Sequence, residues 1–162
     1  MAGAVILSST AVPPESDSRI RRLHDYWRAI HPADKTLPGR QHVEPIDLRE
    51  LLRWLWLVDV QADPLRFRYR LVGTGHRDAI GADLTGRWID VVFPDFPRFR
   101  DYADFAAVIG GETRYCRRPP EFPVVKGLVQ MERVLLPLAR DGVNIDMLLG
   151  LSLFTRNDGS VV

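Results

Sequence analysis

The chain carries one cysteine, Cys116, in 162 residues. A lone thiol excludes an intrachain disulfide and a cysteine-built structural zinc site, and it suits a reducing cytoplasm, the expected location. Long apolar runs are missing too: no stretch approaches the roughly 20 residues that a membrane-crossing helix needs, so no membrane insertion is expected. Met1 to Val12 is mildly apolar but lacks a basic start and soon meets Pro13-Pro14, so it reads as a tail rather than a signal peptide. Nor is there an excess of one charge. With 22 Lys and Arg against 21 Asp and Glu, no long-range field gathers nucleic acid or an anionic membrane. The cations are almost all Arg, which is read as compositional bias. No internal repeat is visible, which argues against a solenoid.

What is present is the composition of a soluble domain, 46% hydrophobic and 27% charged, at a length that suits one ordinary core. The expected layout is a flexible tail over 1–17, one domain over 18–155 and a C-terminal tail over 156–162. Ile20, Leu23, Trp27 and Ile30 recur at helical spacing behind a capping Asp17 or Ser18, and Pro32 stops the run. Pro45 and Asp47 open a second short helix bearing Leu48, Leu51 and Leu52.

Leu55 to Val60 reads as a strand that ends at Ala62-Asp63-Pro64. Beyond it, Arg66, Arg68 and Arg70 alternate with Phe67, Tyr69 and Leu71, which predicts a hairpin with one wet face. Glycines 75, 81 and 86 break the stretch to Val92 into single-turn helices. A longer helix follows Phe93-Pro94-Asp95-Phe96-Pro97, with Phe99, Tyr102, Phe105, Ala106 and Ile109 on one face, and Gly110-Gly111 ends it. Three strands remain: Thr113 to Arg118, Leu128 to Leu138 with Met131 and Leu135 on one face, and Val143 to Phe154. In the last, Val143, Ile145, Met147, Leu149, Leu151 and Leu153 alternate with polar Asn144, Asp146 and Ser152, which predicts an interior strand. The order describes an α+β domain: a five-stranded antiparallel sheet, helices on one face and a leading amphipathic helix.

Particular residues extend that outline. Phe67-Arg68-Tyr69-Arg70-Leu71-Val72-Gly73-Thr74, Gly81-Ala82-Asp83-Leu84-Thr85-Gly86 and Asp90 resemble a bacterial subfamily of short, often stand-alone PAS proteins. The upstream Leu37-Pro38-Gly39-Arg40, Glu44-Pro45-Ile46-Asp47 and Leu55 to Val60 are similar to the same group, and the likeness runs from about Ser18 to Phe154. It implies a pocket between sheet and helices, which elsewhere in the PAS family holds haem, flavin or a small metabolite, or is filled by side chains. The cofactor is unknown. Haem of the oxygen-sensor type is disfavoured, because Phe96 to Ile109 has no histidine; a photoactive flavin is disfavoured, because Cys116 lies on a late strand outside the expected motif.

On this reading the candidate pocket residues are Tyr69, His76, Trp88, Tyr102, Phe105, Tyr115 and Met131. Aromatic side chains with one polar group suit an apolar cavity, and His76 can donate a hydrogen bond or titrate near neutrality. Each has a plainer reading as core packing, or for His76 as a surface or capping residue. Gly73-Thr74-Gly75 is read as a strand-end turn rather than a phosphate loop, and Asp90 and Asp95 as turn caps rather than an acid/base pair. His24, His31 and His42 lack a third converging ligand, so no metal site is expected. No catalytic residue is assigned.

The expected function is a stand-alone, non-catalytic sensor or signalling module that binds a small molecule, a separate signalling protein, or both. Two alternatives stand beside it: a small isomerase or dehydratase with His76 or an aspartate as base, and a cavity-free adaptor. No output domain is visible. A homodimer is expected, with Ile20, Leu23, Trp27 and Ile30 as interface candidates; the competing expectation is that this stripe covers its own sheet.

Overall fold

The computed structural model describes residues 4–162, and one antiparallel sheet organises them. The sheet has six strands: β1 Ile6–Ser9, β2 Leu55–Gln61, β3 Arg66–Val72, β4 Arg114–Arg118, β5 Leu128–Leu138 and β6 Met147–Arg156. They lie in the order β1-β4-β5-β6-β2-β3. The helices are α1 Ser18–Ala29, α2 Thr74–Ile80, α3 Ile89–Val92 and α4 Arg100–Ile109, with single 3₁₀ turns at Arg40–His42, Pro45–Leu48 and Phe96–Arg98.

Five strands were expected, and the sixth comes from the segment read as a tail. β1 pairs with β4, placing Ile6 opposite Arg117 and Ser9 opposite Tyr115. Its backbone is also held from inside, because buried Arg118 donates to the Leu7 carbonyl and Ser8 Oγ donates to Asp104 at 2.5 Å. These partners are more than ninety residues away in sequence, so local polarity alone suggested a loose end. Met1 to Gly3 lie outside the described residues. The C-terminal segment docks as well: Val162 is buried, its amide donates to Phe154 and its carbonyl accepts from Trp54 Nε1.

β6 is interior, between β5 and β2, but it begins at Met147 rather than Val143. Asp141 accepts from the amides of Val143 and Asn144, and this turn takes up the first residues of the expected run. The strand is buried on both sides. Leu149, Leu151 and Leu153 point to one side, while Leu148, Ser152 and Phe154 point to the other. In β3, Arg70 is an extra residue between the pairs Leu57–Leu71 and Val58–Tyr69. This bulge turns Leu71 outward, 41% exposed, so it leaves the apolar row of Phe67 and Tyr69.

Helices cover both faces of the sheet, the leading α1 on one and the rest on the other. On the outer face, α1 is capped by the Asp17 side chain and lays Ile20, Leu23 and Trp27 on Leu136, Leu138, Leu149, Leu151 and Leu153. Trp27 Nε1 donates to the Pro137 carbonyl at 2.9 Å. The stripe therefore covers its own sheet. Ile20 and Leu23 are fully buried and only Ile30 is half-buried, so the chain itself occupies most of the surface expected to form a dimer interface. On the inner face, α2, α3, α4 and the turns between them enclose an aromatic core. The α4 face that goes inward is Asp101, Asp104, Phe105 and Val108, about one position away from the expected stripe; Ala106 is exposed.

Candidate functional site

The inner face opens its core around a cavity of about 20 Å³ lined by Trp56, Tyr69, His76, Ile89, Phe93, Phe96, Phe99, Asp101, Phe105, Phe122 and Arg133. Trp56 reaches it from β2 because Gly150 opposite has no side chain: a Cβ there would sit 2.3 Å from the indole ring. The ring lies over this gap, donates Nε1 to Ser152 Oγ at 2.9 Å and stacks near Phe105.

His76 enters from α2. The amides of Gly73 and Gly75 just before it donate to the carbonyls of Leu55 and Arg53, so both glycines of this turn spend their N–H groups on the chain. α2 closes at Gly81, whose φ of +86° suits a residue without a Cβ. The His76 ring is 3% exposed among Trp56, Tyr69 and Phe154, and neither nitrogen has a hydrogen-bond partner. Burial, assisted by Arg133 and opposed by Asp101, pulls its pKa from 6.5 to about 3, so the imidazole is neutral near pH 7. Burial pushes the Tyr69 hydroxyl well above its ordinary range.

Charge meets the cavity at its α4 side. Asp101 and Asp104 lie one helical turn apart, facing Arg118 of β4 and Arg133 of β5. Arg118 donates to Asp101 Oδ1 at 3.1 Å and to Asp104 Oδ2 at 3.0 Å, and Arg133 donates to Asp101 Oδ1. All four side chains are at most 6% exposed. The pairs answer each other's charge, yet Asp101 Oδ2 remains buried without a partner. A buried ion cluster of this kind gains little net stability, because desolvation offsets the attraction.

Of the expected pocket residues, Tyr69, His76 and Phe105 line the cavity together. Met131 is fully buried in the same inner core, and Tyr102 packs against Phe67 and Phe96, but neither lines the cavity. Trp88 does not reach it. It pairs with Arg68 at the edge of β3, with the guanidinium of Arg66 4.2 Å from its ring centre and that of Arg68 5.4 Å away. Tyr115 lies on the outer face, where its hydroxyl donates to Glu132 at 2.8 Å. Strand parity decides this: Cys116 and Arg118 point inward, so Tyr115 points outward.

Sequence reasoning missed Asp101, Arg133 and Trp56. A signal for two of them was present: Arg133 falls between Met131 and Leu135 on one strand face, and Asp101 shares a helix face with Phe105 and Val108. Asp90 is held by both nitrogens of Arg66, at 2.8 and 2.9 Å, and that ion pair lowers its pKa; neither it nor Asp95 joins the cavity. Among the described residues, no group of three or more His, Cys, Asp or Glu side chains could hold a metal ion, and no helix is long and apolar enough to cross a membrane.

The antiparallel sheet with helices packed across its aromatic face agrees with the α+β fold expected from the residue patterns. No curated protein and no solved structure matches the chain. A family model described as PAS domain matches residues 15–153, nearly the whole ordered fold, and the chain belongs to the PAS domain family.

Proposed function

We propose that this chain is a non-catalytic sensor module that binds a small molecule in the inner-face cavity and passes the event to a protein partner. The observation that carries the reading is the polar end of that cavity: His76, with both nitrogens unpartnered, and the free Asp101 Oδ2, both buried among aromatic rings. Buried polar atoms are normally hydrogen-bonded, and leaving one unmade costs about 1–3 kcal/mol. A cavity whose lining residues carry three such atoms is suited to a guest that pairs with them. Catalysis with His76 as base is disfavoured, because with a pKa of about 3 it is too weak a base near neutrality.

The route outward runs through α4. Asp101 lines the cavity, its neighbour Asp104 accepts from Ser8, and Arg118 ties both carboxylates to the Leu7 carbonyl of β1. A guest that changes how Asp101 is paired shifts the docking of β1 and the exposed side of α4, where a partner, including a second copy of the chain, would read it. The buried stripe of α1 takes no part. Native mass spectrometry of the purified protein tests the reading. The expected result is a noncovalent adduct lost on denaturation, or a metabolite-library member that raises the unfolding midpoint. A protein that carries no adduct and responds to no library member would overturn the small-molecule part.

A further inference from the structure

The unpartnered atoms and the charge balance around them restrict what the cavity accepts. Asp101 Oδ2 needs a donor. Neutral His76 offers one N–H and one lone pair, so it suits a group that both donates and accepts. Two guanidinium groups and two carboxylates already balance in the buried cluster, and a charged guest would add an uncompensated charge to the interior. The remaining walls are aromatic, Trp56, Phe96, Phe99 and Phe105 among them, and they favour a flat apolar body.

We infer that the cavity selects a small neutral molecule with a flat apolar body and one O–H or N–H group, phenol being the simplest member of the class. This rests on the small-molecule reading above. The hydroxyl donates a hydrogen bond to Asp101 Oδ2 and accepts one from the His76 N–H, while the ring lies among the aromatic walls. The cavity, about 20 Å³, has no room for a ring as it stands, so a ring enters by moving a wall. The segment Phe96–Phe99 is that wall. Its backbone hydrogen bonds, Phe96 to Phe93, Arg98 to Asp95 and Phe99 to Phe96, are all local, so it can swing as a unit without breaking the sheet.

The test compares phenol with toluene, which has the same shape but no donor, and with benzoate, which carries charge. Binding to the full chain is followed by NMR through the indole N–H of Trp56, with that of Trp27 on the outer face as control. Phenol is expected to move the Trp56 signal and leave that of Trp27 in place, with toluene and benzoate at least about tenfold weaker. In His76→Leu, which removes unpartnered polar atoms and should fold, the preference for phenol over toluene should fall about tenfold. Toluene binding as well as phenol, benzoate binding more tightly, an unchanged preference in His76→Leu, or no binding by any probe would overturn the inference. An anion retained by the purified protein would overturn it too, and would leave the sensing reading in place.

Discussion

The two faces of the sheet are built for different work. On the outer face, Leu55, Leu57, Val134, Leu136, Leu149, Leu151 and Leu153 form an aliphatic layer under α1, and the polar groups of Trp27 and Tyr115 find partners in Pro137 and Glu132. On the inner face, the same strands present Trp56, Tyr69, Met131 and Phe154 beside Arg118 and Arg133, and polar atoms are left unmatched. One face approaches the dense, satisfied packing that maximises stability. The other leaves buried polar atoms without partners, at a cost in stability.

The contrast can be broken most sharply on the outer side. Trp27→Glu would bury a charge in the aliphatic layer and lose the bond to Pro137; we expect a loss on the order of 4 kcal/mol and an unfolded or molten protein in urea titrations. A folded, stable Trp27→Glu chain would show that α1 does not cover this face in solution. On the inner side, Asp101→Ala leaves Arg133 without its main partner and should cost about 3–5 kcal/mol. Replacing the pair together, Asp101→Leu with Arg133→Met, should cost clearly less, because no charge is then stranded. Equal losses for the single and double changes would mean that the cluster packs rather than pairs.

Acid should distinguish the faces next. Unfolded, His76 takes up a proton near pH 6.5, whereas in the fold it does so only near pH 3. Between these values the unfolded state binds more protons, so stability falls as pH drops, by at most about 1.4 kcal/mol per unit. His76→Leu should flatten this part of the pH profile of the urea midpoint; an unchanged slope would place the acid sensitivity elsewhere. The smallest effect is expected outside both cores. Trp88→Ala, which removes the ring beneath Arg66 and Arg68, should cost about 1 kcal/mol and leave binding at the cavity unaltered. A change in cavity affinity would return Trp88 to the site.

Much of the frame was legible in order. The hairpin of β2 and β3, the breaks around α2 and α3, the bounds of β5 and the Asp17 cap all rest on interactions within a few residues, or on alternation that any sheet imposes. The site was legible only in part. Tyr69, His76 and Phe105 line the cavity, whereas Trp88 and Tyr115 lie away from it, because aromatic character says that a residue packs and not on which side.

The sequence by itself determined most of the elements, since periodicity and turn residues are local properties, and its motifs carried the resemblance to the PAS family. Tertiary structure alone decided that α1 spends its stripe on its own sheet, that residues 6–9 add a sixth strand, and that Arg118 and Arg133 can be buried. Each of these depends on a partner far along the chain: Leu7 and Ser8 meet Arg118 and Asp104, and Arg133 meets Asp101. The free energy of burying a charge or pairing an edge strand is set by that partner, and no local pattern encodes it.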